Sequence, residues 1–116
     1  FQTYDIVEAM MRDTGTAIKE LKVDGGASRN NLMMQFQADL LNTEVIRPKI
    51  TETTALGAAY LAGLSVNYWK DIDEIHRQWK VERKFSSNTN NTEAIMKAKI
   101  NWADAVRRTL TENNLH

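Results

Sequence analysis

The 116-residue sequence contains no cysteine. Disulfide staples, thiolate metal sites and a cysteine nucleophile are therefore excluded, and the pattern suits a reducing compartment. Proline occurs once, at Pro48, and no low-complexity tract or internal repeat is present. No apolar run approaches the ~18 residues that a membrane-crossing helix needs. There is no charge surplus either, because fifteen Lys and Arg balance fifteen Asp and Glu. A protein that grips nucleic acid through phosphates normally carries a basic excess, so nucleic acid is not an expected partner. His76 and His116 have no metal-ligand partner at helical spacing, and no metal site is expected. No paired-carboxylate or Ser–His constellation stands out.

What is present is ordinary for a globular chain: 42% hydrophobic and 26% charged residues, enough apolar content to exclude wholesale disorder. The length suits one domain. The chain opens on Phe1 and goes directly into helical patterning, with no basic stretch leading into an apolar one. We expect a fragment of a longer protein.

Apolar residues paired at i,i+4 (Ile6 with Met10, Val7 with Met11) predict an amphipathic first helix, stopped at Asp13-Thr14-Gly15 with Gly15 as a left-handed cap. Leu21–Asp24 alternates and predicts a strand, broken by Gly25-Gly26. Leu32, Phe36 and Leu40, widened by Met33 and Leu41, predict the buried stripe of a second helix. Thr43–Arg47 predicts a second strand ended by Pro48, which offers no N–H to a ladder. Thr51 to Leu64 predicts a third helix capped by Thr51 or Thr53, with Leu56, Tyr60 and Leu64 on one row. A short helix over Asp71–Trp79, a strand over Val81–Phe85, a polar turn over 86–92 and a last helix follow. That last helix is expected to be capped by Asn91 or Thr92 and to bury Ala98, Trp102, Val106 and Leu110. Strands alternating with helices imply an α/β fold with a short, mostly parallel sheet flanked by helices. Two or three strands are few for a sheet, which again suggests missing chain.

The segment Val23-Asp24-Gly25-Gly26-Ala27-Ser28-Arg29-Asn30-Asn31 is the best candidate for chemistry. Open α/β sheets bind ligands beyond the carboxyl ends of their strands. Glycines admit close approach of a ligand to the backbone, and the side chain of Asn30 offers both a donor and an acceptor to a purine or a ribose. A plain strand-to-helix turn that needs glycine for its backbone explains the same residues. Asp24 either holds a cation or phosphate, or caps the turn. The row Ala55, Ala58, Ala59, Ala62, with Gly57 and Gly63 nearby, is either a helix former in a core or a helix at a hinge, where close packing permits sliding. Trp69, Trp79 and Trp102 are expected to pack, and Lys97, Lys99, Arg107 and Arg108 to face solvent.

Leu21-Lys22-Val23-Asp24-Gly25-Gly26-Ala27, then Asn30 through Asp39, then Arg47-Pro48, then Glu52-Thr53-Thr54-Ala55-Leu56-Gly57-Ala58-Ala59-Tyr60-Leu61-Ala62-Gly63-Leu64 form an ordered set of blocks. The set resembles the C-terminal domain of the FGGY carbohydrate kinases, which have the actin-like ATPase (ribonuclease H-like) fold. Gln35-Phe36-Gln37-Ala38-Asp39 resembles the glycerol kinases within that family. The likeness runs from Phe1 to about Arg108.

The resemblance implies that residues 1–116 are the C-terminal part of the adenosine-binding domain, with the N-terminal catalytic domain absent. It implies that Gly26 and Asn30 contact ATP or ADP while Gly25 and Ala27 shape the turn. Ser28 and Arg29 inherit no role. The alanine-rich helix would be an interdomain connector about which two lobes close. The implied reaction of the full-length parent is transfer of the ATP γ-phosphate to glycerol, with Mg²⁺, giving sn-glycerol 3-phosphate in the cytoplasm. The base that activates glycerol, most glycerol contacts and the phosphate loops would lie outside this sequence, so no residue here is a catalytic candidate. The parent would be a homo-oligomer. The stretch 86–92 lacks a Pro-Gly found in some bacterial relatives, so a regulatory partner there is not implied. Another sugar kinase of the family, or a non-catalytic interaction domain, would use the same residues differently.

Overall fold

A computed structural model describes residues 1–110. In chain order it contains helix α1 (Gln2–Thr14), strand β1 (Glu20–Lys22), a 3-10 turn (Gly26–Arg29), helix α2 (Asn31–Leu41) and strand β2 (Glu44–Pro48). Helices α3 (Thr53–Ser65) and α4 (Ile72–Gln78), strand β3 (Val81–Phe85), a second 3-10 turn (Thr89–Asn91) and helix α5 (Thr92–Thr109) follow.

The three strands form one sheet in the order β1-β2-β3. β1 runs parallel to β2, with Leu21 opposite Val45, and the helix between them supplies the crossover that parallel strands require. β3 pairs antiparallel to β2, with Val45 opposite Phe85. The sheet is therefore mixed, with one pairing of each sense. Pro48 closes β2 where the register with β3 shifts, the position at which a missing N–H is tolerated.

β2 is buried from Val45 through Pro48. Met34 and Ala38 of α2 pack with Val45 and Phe85, and Leu21, Val23 and Met33 close the edge of this cluster. The stripe of α2 is thus Met34, Ala38, Leu40 and Leu41, whereas Leu32 points to solvent at 81% exposure. Leu32 sits in the first turn of the helix. At the other end, Phe1 stacks on Trp102 and meets Phe36 edge-on, with centroids 5.3 and 5.4 Å apart. Trp102 also donates its indole N–H to Asp5. Residues far apart in sequence thereby tie α1 and α5 to α2. Gly15 caps α1 at φ 65°, as the sequence predicts.

The outer helices differ from expectation. α5 fully buries none of its residues, and Leu110 is 68% exposed while Ala98, Trp102 and Val106 are half-buried. In α3 only Gly63 is buried; the Leu56–Tyr60–Leu64 row is half-buried and Ala55, Ala58, Ala59 and Ala62 face solvent. The alanine row is not core. Trp69 lies against Gly63, edge-on to Tyr60, whereas Trp79 is 42% exposed beneath the Lys22 ammonium. His76 is exposed.

Candidate functional site

Because β1 and β2 are parallel, their chains leave the sheet on the same side. The exit of β1 is the bend at residues 24–30, and the exit of β2 is the segment that leads into α3. The two exits are bonded together. The Gly25 N–H donates to the Thr51 carbonyl at 2.7 Å, Arg29 Nε donates to Thr51 Oγ1 at 3.4 Å, and the Thr53 hydroxyl donates to the Asp24 carboxylate. Thr51 and Thr53 are thus engaged with the bend and are not available as caps. Glu52 occupies the cap position of α3 and makes no side-chain bond there. Asp24 accepts from across the gap and does not cap its own turn.

Inside the bend, Ser28 is buried at 2% exposure; its hydroxyl donates to the Gly25 carbonyl at 2.7 Å. Its own carbonyl accepts from Arg47 Nη1 at 2.7 Å. The Asn30 N–H donates to the Ala27 carbonyl, and Asn30 Oδ1 accepts from the Met33 N–H at 3.0 Å as the N-cap of α2. The side-chain oxygen of Asn30 is therefore committed to the helix. Its amide nitrogen has no partner among the described residues, leaving a donor rather than a donor–acceptor pair facing outward. Gly26, Ala27 and Asn30 are exposed and Gly25 is half-buried.

The two glycines differ in what they demand. Gly25 sits at φ 75°, ψ 171°, a region open essentially to glycine alone. Gly26 has no positive φ, so its backbone does not require glycine. A Cβ at either position meets nothing within 4 Å. The bend is thus a rigid, bonded loop with open space along its outer edge, bordered by exposed N–H and amide donors.

Next to it lies a hollow of about 290 Å³, lined by Arg29, Asn31, Arg47, Lys49, Thr51 and Glu82. Arg47 and Thr51 are its buried members, and Arg47 carries the charge. The side chain is 6% exposed, bonds Glu82 Oε2 through Nε at 2.7 Å and lies over the Phe85 ring. The functional reading of the sequence gives Arg47 no role, yet the signal is there. Strand alternation puts Arg47 on the same side as Val45, which faces the core, and an inward-facing cation needs partners. Ser28 is the second residue passed over; nothing in its local sequence distinguishes it from a solvent-facing turn serine.

Asp39, at the far end of α2, accepts from the Asn88 N–H, Gln35 Nε2 and Asn91 Nδ2. Partial burial alone would raise its pKa, but these three donors outweigh it and hold the carboxyl below the usual 3.8. This carboxylate fastens the second 3-10 turn to α2 and lies outside the bend.

The family model for the FGGY carbohydrate kinases, C-terminal domain, matches residues 1–66. A glycerol kinase of Burkholderia pseudomallei is 54% identical over 107 residues, which is 92% of this chain and 21% of that protein. One from Deinococcus radiodurans is 55% identical over 108 residues, 93% of the chain and 21% of the relative. The chain therefore spans about a fifth of the length of the curated relatives it matches. Among solved structures, the Plasmodium falciparum glycerol kinase with ADP superposes with a TM-score of 0.75 at 34% identity, over 96% of this chain and 22% of that one. A ligand-bound xylulose kinase from Lactobacillus acidophilus has a TM-score of 0.64 at 18% identity, over 81% of this chain and 19% of its own, and shares the fold. With the family match covering more than half of its residues, the chain belongs to the FGGY family of carbohydrate kinases, in the C-terminal domain.

Proposed function

We propose that the bend Gly25–Asn30 is one wall of an adenine-nucleotide site in a glycerol kinase. The full-length parent would transfer the γ-phosphate of ATP to glycerol and release sn-glycerol 3-phosphate and ADP. The observation that carries this reading is Gly26. It lacks a side chain although its backbone would accept one, and the space beside it is open. An absence the fold does not need is accounted for by a ligand that approaches closely. The similarity to the Plasmodium falciparum glycerol kinase with ADP supports the nucleotide, and the identity to curated glycerol kinases supports the substrate.

In this reading Gly25 sets the bend, Ala27 continues it, Gly26 admits the base or ribose, and Asn30 Nδ2 donates to it. Residues 1–116 form the C-terminal part of the adenosine-binding domain. Phosphoryl transfer depends on positioning and on neutralising the phosphate charge. Mg²⁺ would supply part of that neutralisation at the phosphate end. Among the described residues no group of three His, Asp or Glu stands together, so nothing in this bend is assigned to the metal.

Two outcomes test the reading. In an ATP titration of the chain, the Gly26 and Asn30 amide signals shift first, with a dissociation constant of about a millimolar or weaker, since a nucleoside alone is held. Residues 1–116 release no ADP when glycerol is added. A micromolar constant, or shifts confined to other residues, contradicts the assignment, and glycerol-dependent ADP release contradicts the division of roles.

A further inference from the structure

We propose that Arg47 is a positioning residue for the nucleotide, acting through the Ser28 carbonyl. The inference rests on the nucleotide reading of the bend. Arg47 belongs to β2, the central strand and the one buried on both faces, so its backbone is the firmest anchor near the site. From there its guanidinium reaches both neighbours. Nε bonds Glu82 on β3 and Nη1 bonds the carbonyl of Ser28, each at 2.7 Å. A guanidinium holds its donors in one plane at fixed angles. The two bonds together therefore set where Ser28 stands relative to the sheet.

Ser28 is midway between Gly26 and Asn30, and its hydroxyl also closes the bend onto the Gly25 carbonyl. Fixing Ser28 fixes the separation of the open glycine edge from the Asn30 donor. Without Arg47, the Ser28 carbonyl loses a charge-assisted donor in a place where water has little access. The bend then samples other geometries, and the apparent affinity for nucleotide falls by the fraction of time the binding geometry is lost. Glycerol is not held by this bend, so its apparent affinity is unchanged.

The test uses steady-state kinetics of the full-length enzyme with three variants. Arg47→Met keeps the packing on Phe85 and removes every donor. It is expected to raise the KM for ATP about tenfold, equivalent to about 1.4 kcal/mol, with the KM for glycerol and kcat near wild type. Arg47→Lys restores one donor without the fork and is expected to recover part of the loss, to about threefold above wild type. Asn30→Asp keeps the oxygen that caps α2 and removes the Nδ2 donor, so it reports on the nucleotide reading itself and is expected to raise the KM for ATP.

If Asn30→Asp raises that KM and Arg47→Met leaves it unchanged, or raises both substrates' KM equally, Arg47 is merely structural and the proposal is overturned while the nucleotide site stands. If Asn30→Asp has no effect, the site assignment and this proposal fall together. Should Arg47→Met fail to fold, Arg47→Lys decides. A raised KM for ATP with unchanged glycerol kinetics supports the proposal, and wild-type kinetics overturn it.

Discussion

The second and third helices make an instructive pair. α2 mixes polar and apolar residues and buries four of them, with Met34 and Ala38 packed against the sheet. α3 is the more apolar segment, built from Leu, Ala, Gly and Tyr with no charged residue between Thr53 and Ser65, yet it buries only Gly63. Apolar content alone does not place a helix in a core; an organised face does, because burial follows the side of the helix that meets a partner. α2 has that face in Met34, Ala38 and Leu41. α3 is apolar all round, the pattern of a helix made to be covered on several sides. Among the described residues only its Leu56–Tyr60–Gly63 side is touched.

The contrast breaks if the two helices respond alike to substitution. The largest effect is expected in the cluster under α2. Phe85→Ala should cost about 3–5 kcal/mol in urea unfolding, whereas Leu61→Ala on the exposed side of α3 should change stability by less than about 0.5 kcal/mol. Similar losses for both would show that α3 is packed as firmly as α2.

The next effect separates glycines by their surroundings. Gly63→Ala drives a methyl into the Trp69 ring and should destabilise by about 1–3 kcal/mol, with a change in tryptophan fluorescence. Gly57→Ala meets open space in the same helix and should stabilise by about 0.5–1 kcal/mol. A loss from both substitutions would mean that the far side of α3 is occupied.

In the bend, Gly25→Ala is forced into a conformation closed to other residues and should lose about 1–3 kcal/mol. Gly26→Ala should leave thermal stability nearly unchanged while weakening ATP binding. Equal thermal losses would remove the argument that Gly26 is kept for a ligand.

The smallest effect concerns Asp39. Its carboxyl is depressed in the folded chain, so its contribution to stability is present above the unfolded pKa and is lost as pH falls through the folded one. The difference in stability between the wild type and Asp39→Asn should therefore be full at neutral pH and shrink below about pH 4 in acid unfolding curves. A difference that is constant across this range would mean that the ionised form contributes nothing.

Most of the element order was legible because it depends on short-range signals. The Gly15 cap, the break at Gly25 and the end of β2 at Pro48 come from residues whose backbone preferences are strong, and the strand over Val81–Phe85 from its alternation. The sense of the third strand was not legible, since nothing within Val81–Phe85 distinguishes antiparallel from parallel pairing. The outward turn of Leu32 was missed because a row at i,i+4 marks one side of a helix without saying which of its residues meet a partner. At the candidate site, the existence of a bend at Gly25-Gly26 was readable from glycine chemistry. The struts were not. Arg29 to Thr51, Arg47 to Ser28 and Asp24 to Thr53 join residues that are 22, 19 and 29 positions apart. No local pattern encodes such pairings.

Those struts have a mechanical meaning. The loop beside the glycines and the opening turn of α3 are bolted to each other through Gly25, Asp24, Thr51 and Thr53, so neither travels alone. Separating them would break the bonds that tie Gly25 to Thr51 and Asp24 to Thr53.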